Sequence, residues 1–116
     1  MAAIERDFAG QRRKFELRIK QWGELERLCG TGIFAIAMRL SHGMGGFADV
    51  RETVRLGLEG GGMSEVEATA LTLHYFDGEP LGAHLVLASE ILSAAINGLP
   101  KDQGEAGASG NTNPAT

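Results

Sequence analysis

The chain has little of what usually announces a chemistry. It has a single cysteine, Cys29, so no internal disulfide can form. Its three histidines, His42, His74 and His84, are far apart, and none belongs to an H-x-x-x-H pair or a Cys/His cluster, so no zinc or other metal site is expected. Positive charge is in deficit: 11 Lys and Arg against 15 Asp and Glu leave a formal charge of -4. Phosphate binding draws on clustered cations, so general nucleic-acid binding is not expected, although Arg12 to Lys14 with Arg18 and Lys20 leave a local basic patch open. The longest apolar stretch, 81–96, is broken by Gly82, His84, Ser89, Glu90 and Ser93 and falls short of the ~20 residues that span a bilayer. It is read as a buried helix. No charged-then-apolar leader opens the chain, and an intracellular location is expected from that.

What is present suits a small folded domain. At 43% hydrophobic and 22% charged the composition is globular, and a domain of this length buries about 60 to 65% of the surface its unfolded chain exposes. The expected organisation is one domain over 1–99 and a tail over 100–116. Past Lys101 the tail has no Leu, Ile, Val or aromatic residue to offset an ordering entropy of about 1 to 2 kcal/mol per residue, so it is read as disordered.

Hydropathy periods give the layout. Residues 12–19 alternate, with Phe15, Leu17 and Ile19 on one face and Lys14, Glu16 and Arg18 on the other. Residues 4–8 alternate weakly, and Ala9-Gly10-Gln11 between the two runs supplies a tight reversal; together they predict an N-terminal β-hairpin. Beyond Ile19 the period lengthens. Trp22, Leu25 and Leu28 or Cys29 mark a first helix that stops at Gly30. Thr31 is the expected N-cap of a second, with the stripe Ile33, Ile36, Ala37 and Leu40, closed by Gly43. A third presents Phe47, Val50, Val54 and Leu58 opposite Arg51, Glu52, Arg55 and Glu59, and ends in Gly60-Gly61-Gly62. Ser64 and Glu67 have capping-box spacing at the start of a fourth helix from Glu65 to about Phe76. Pro80 opens a fifth, whose stripe of Leu81, Leu85, Ala88, Leu92 and Ala95 is widened by Val86, Leu87 and Ile91; it is the expected centre of the core. The fold class is α+β: a short hairpin, about five packed helices and the tail.

No catalytic constellation emerges, and neither enzyme activity nor a cofactor is expected. The glycine clusters follow helices rather than strands and lack the Lys-Ser/Thr pair of a phosphate loop, so they read as helix ends and hinges. Cys29 falls on an apolar stripe without a neighbouring base, as a structural cysteine does. The carboxylates are scattered as solvated charge. His42 suits the negative end of the second helix, and His74, beside Tyr75 and Phe76, the edge of the core. Of Met38, Met44, Met63 and Phe47, three lie in or next to glycine loops. Met44, Phe47 and Met63 are accordingly the candidate partner-binding residues, the alternative being that they fold back to cap the core.

The ordered part also resembles a known family. The run Phe8-Ala9-Gly10 through Phe15-Glu16-Leu17, the segment Leu25-Glu26-x-x-Cys29-Gly30-x-Gly32-Ile33, the stretch Asp49-Val50-Arg51-Glu52 with Arg55-Leu56-Gly57-Leu58-x-Gly60-Gly61-Gly62, and Pro80-Leu81 with Ile91-Leu92 are similar to the small tail proteins of gene transfer agents and phages. That family is described both as tail tube protein and as tail assembly chaperone. The resemblance covers about 8–98. It implies a prophage or gene-transfer-agent tail assembly chaperone that binds the tape-measure protein and assists tail-tube polymerisation, working in the cytoplasm of the bacterial host during particle assembly. The alternative it implies is a structural tail tube or tail completion subunit. Partners would be the tape-measure and tail tube proteins, with no nucleic acid or membrane, and with self-association open.

Overall fold

The computed structural model describes residues 2–99, and the tail expected over 100–116 lies outside them. The order is β1 (Ile4–Phe8), β2 (Gln11–Phe15), α1 (Ile19–Cys29), α2 (Ile33–Ser41), α3 (Phe47–Gly60), α4 (Glu65–Gly78) and α5 (Leu81–Asn97). The expected hairpin and five helices are all present.

β1 and β2 pair antiparallel in the register Ile4 with Phe15 and Phe8 with Gln11. The turn is the two-residue Ala9-Gly10, both with positive φ (55° and 78°), the twist that joins right-twisted strands without splaying them. Ile4, Phe8 and Phe15 face inward and are buried. The alternation read over 12–19 outlasts the ladder, because β1 has no residue to pair beyond Phe15. Leu17 is still buried, but Ile19 is 73% exposed at the start of α1 and does not share the inward face. Glu16, assigned to the solvent face, is buried instead: its backbone N–H donates to the Gly57 carbonyl oxygen at 3.0 Å, which lays the segment on α3.

Gly30 ends α1 at φ 70° as expected, its N–H donating to the Glu26 carbonyl. Thr31 is not the cap of α2. Gly32 holds that position, and the orphan N–H of Ile33 donates to Glu26 Oε2 of the preceding helix at 2.9 Å. Ser64 caps α4 as read, accepting from the Glu67 N–H at 3.2 Å, but the Glu67 carboxylate takes the Ser64 hydroxyl rather than a backbone N–H.

The centre of the core is α3, not α5. It packs against α1, α2, α4, α5 and β2, and Asp49, Val50, Glu52, Thr53, Val54, Leu56, Gly57 and Leu58 are all buried along it. Its charged face is therefore not solvated. Glu52 accepts from Arg51 at 2.8 Å and from Arg55 at 2.7 Å, Arg55 reaches Glu59 at 2.6 Å, and the Arg55 side chain is only 14% exposed. Pairing satisfies charges that burial alone would penalise. On α5 the buried face is His84, Leu87, Ala88, Ile91, Leu92 and Ala94, so the face is turned from the expected stripe, and Leu81 and Val86 are exposed.

Gly60 and Gly61 end α3 as read, yet they are not free hinges. A Cβ on Gly60 would lie 1.8 Å from the Glu16 carbonyl oxygen, and one on Gly61 2.2 Å from that of Lys14. Their missing side chains let the strand exit pass directly over the helix end.

Candidate protein-interaction surface

The chemistry-bearing side chains are dispersed. Cys29 is half-buried, its Sγ 3.9 Å from the Ala48 carbonyl, and burial reinforced by the neighbouring Asp49 carboxylate pushes its thiol up to about 12. A thiol held protonated is a poor nucleophile. His42 caps α2, its Nδ1 2.9 Å from the Met38 carbonyl, as suits a residue at that helix end. His74 is exposed on α4 rather than at the core edge. His84 is the buried one. It stacks on Phe76 with ring centroids 4.0 Å apart and meets Phe8 edge-on at 5.9 Å, its Nε2 has no hydrogen-bond partner, and burial lowers its pKa. Phe8 also contacts Phe15 and Tyr75, and Phe76 contacts Phe47, so this ring cluster ties the hairpin to α3, α4 and α5. Among the described residues, no group of three or more His, Cys, Asp or Glu could hold a metal ion.

Exposed apolar side chains are the feature that stands out. Met44, 74% exposed, lies in the loop between α2 and α3, and half-exposed Phe47 opens α3, its ring 6.0 Å from Phe76 and 5.0 Å beneath the Arg51 guanidinium. Met63 lies beyond the other end of α3, roughly 20 Å away at 1.5 Å per residue. The three candidate residues thus divide between two places.

Two larger apolar surfaces lie on the helices, one on α2 and one on α4. On the helix before Met44, α2 exposes Phe34 and Met38 one turn apart, beside a groove of about 320 Å³ that Ala37, Leu92 and Ile96 also line. Near Met63, a groove of about 380 Å³ runs between the hairpin and α4, lined by Arg13, Met63, Glu67, Ala70, Leu71 and His74. Along α4 the outward positions Val66, Ala70 and Leu73 form a second stripe, with Val66 79% exposed. Phe34, Val66 and Leu73 were missed in the sequence. A signal for the last two existed: α4 is apolar around most of its circumference yet rests mainly on α3, and an apolar helix without a polar face is either enclosed or waiting for a partner.

Between the acids and bases of this surface the pairing is uneven. Arg39 reaches the buried Asp49 at 3.1 Å, Asp49 also accepts the Gly46 N–H at 2.8 Å, and Arg6 reaches Glu90 at 3.0 Å. Among the described residues the carboxylates of α4, Glu65, Glu67 and Asp77, are in no ion pair.

No helix among the described residues is long and apolar enough to cross a membrane. Comparison with curated proteins and with solved structures finds no match. The profile of one family, described as phage tail tube protein, GTA-gp10, matches residues 1–98. A match over this much of the chain, on a fold with a hairpin and five helices, makes the chain a member of that family of phage and gene-transfer-agent small tail proteins, which is not a family of enzymes.

Proposed function

We infer that this tail protein acts as an assembly chaperone, holding the tape-measure protein and assisting tail-tube polymerisation in the bacterial cytoplasm. One observation carries the reading: large apolar side chains stand exposed on helices and on an interhelical loop, Phe34 and Met38 on α2, Met44 in the loop after it, and Val66 and Leu73 on α4. Flexible Met side chains beside aromatic ones suit a surface that adapts to a client and releases it. Met44 and Phe47 would contact a client at one surface, Met63 at the other. Among the described residues the only sheet is a two-stranded hairpin of five-residue strands, so contacts would be made by helices rather than by adding strands.

The family description favours a second reading, a structural tube subunit. A ring of identical subunits joined head to tail needs two different, complementary patches on each copy, and on this reading the separate α2 and α4 surfaces would supply them.

Co-expression with the tape-measure protein of the same gene cluster tests the first reading, which expects a complex that survives purification. Two soluble proteins that never associate would count against it. Mass spectrometry of purified particles separates the two readings: a tube subunit is present in many copies, a chaperone nearly absent.

A further inference from the structure

We propose that the outward face of α4 is the client-docking surface and that its occupant is an amphipathic helix of another tail protein, with an apolar stripe flanked at both ends by Lys or Arg. The proposal rests on the chaperone reading and names the face and the chemistry of the partner.

The first observation is shape. Val66, Ala70 and Leu73 occupy positions i, i+4 and i+7, so they line up on one side of α4 over about 10 Å, and the groove beside Met63 and Leu71 deepens that side. A helix with matching spacing lays its own stripe along such a face.

The second observation is charge. Glu65 and Glu67 stand at the start of this stripe, Asp77 and Glu79 at its end, all four exposed, and no Lys or Arg lies between 65 and 79. Elsewhere Glu5, Asp7, Glu24, Asp49, Glu52, Glu59 and Glu90 are each paired with an arginine, and of the other two described acids, Glu16 is buried and Glu26 accepts the Ile33 N–H. None of the four acids around α4 is in an ion pair among the described residues. Glu65 and Glu67 suit the positive end of their own helix, but Asp77 sits in the last turn, where the helix dipole is already negative and no basic residue offsets it. The nearest arginine of the groove, Arg13, is engaged by the carbonyls of Phe8 and Ala9.

The same charges disfavour pairing of α4 with α4 of a second copy. In either direction acid would face acid, and no Lys or Arg within 65–79 separates them. The α2 surface lacks this pattern, since the charged groups beside it, Arg39 and Glu90, are already paired.

The test places the photocrosslinking residue benzoylphenylalanine at Leu73 or, for comparison, at Phe34, in the full chain co-expressed with the tail proteins of its gene cluster. Crosslinked peptides are then mapped by mass spectrometry. Crosslinks from Leu73 are expected in a tail-protein segment with apolar residues at helical spacing and Lys or Arg on both sides. The double charge reversal Glu65→Lys with Asp77→Lys, at exposed positions where folding is checked by circular dichroism, should weaken the isolated complex about 10-fold or more and reduce its salt dependence. Crosslinks from Phe34 alone, crosslinks from Leu73 to a second copy of this chain or to an acidic or uncharged segment, or a complex indifferent to charge reversal would each overturn the docking proposal while leaving the chaperone reading intact. If no tail protein co-purifies at all, the chaperone reading fails and the docking face with it.

Discussion

Replacing Gly60 by alanine places a methyl carbon 1.8 Å from the Glu16 carbonyl oxygen and 2.9 Å from its carbon. Both obstacles are backbone, so no rotamer change relieves the clash, and the exit of β2 must lift off α3 by more than an ångström. That movement breaks the Glu16 N–H bond to the Gly57 carbonyl, worth about 1 kcal/mol. It also pulls Phe15 and Leu17, which flank Glu16 and are fully buried, out of their seats, a strain of the overpacking kind that costs about 1 to 3 kcal/mol. Against this, alanine gains about 1 kcal/mol of helix propensity over glycine. The net expectation is a loss of about 1 to 3 kcal/mol, or roughly 4–24 °C in Tm for a domain of this size. Urea unfolding followed by circular dichroism and by Trp22 fluorescence measures it. The control is Gly23→Ala, in the exposed middle of α1 with nothing within 4 Å of the added carbon, which should raise stability by about 0.5 to 1 kcal/mol. A Gly60→Ala protein within about 0.5 kcal/mol of the parent, alongside a control that behaves as expected, would refute the close approach.

The hairpin turn gives a prediction of opposite sign. Ala9 is the only non-glycine residue with positive φ among those described, so Ala9→Gly or Ala9→Asn should stabilise by up to about 1 kcal/mol, read as a higher urea midpoint at unchanged slope. Asp49→Ala removes an acceptor shared by the Gly46 N–H and Arg39 and leaves the first turn of α3 uncapped; a cost of about 2 to 3 kcal/mol is expected in thermal or urea unfolding. Burial lowers the His84 pKa in the folded chain, outweighing the nearby Glu79, so the unfolded chain takes up this proton first as pH falls. Stability should be flat above about 6.5 and decline below it until the folded pKa is passed, and His84→Leu should abolish that part of the slope.

The legible parts of this fold were those set by local periodicity. The hairpin turn, the stop at Gly30, the cap at Ser64 and the succession of five helices all follow from residues within a few positions of one another. The errors share a cause. Alternation places Ile19 inward because it says nothing about where a strand loses its partner. Thr31 was a reasonable cap by type, but Glu26, seven residues before Ile33, reached the open N–H first. Apolar content favours α5 as the centre, whereas α3 is the helix that every other helix touches, its charges hidden by pairing among Arg51, Glu52, Arg55 and Glu59. For the interaction surface, methionine and phenylalanine beside glycine loops drew attention to Met44, Phe47 and Met63, but periodicity cannot tell a stripe that is covered from one that is not.

The sequence by itself determined the α+β class and the element order, because turns, caps and hydropathy periods act over a few residues and leave their marks in the chain, and the resemblance of its segments to known tail proteins gave the family. Only the tertiary structure decided which apolar faces remain open. Burial depends on what the rest of the chain brings alongside: α3 is enclosed despite its charges, and α4 keeps Val66 and Leu73 in solvent between unpaired acids despite its apolar composition.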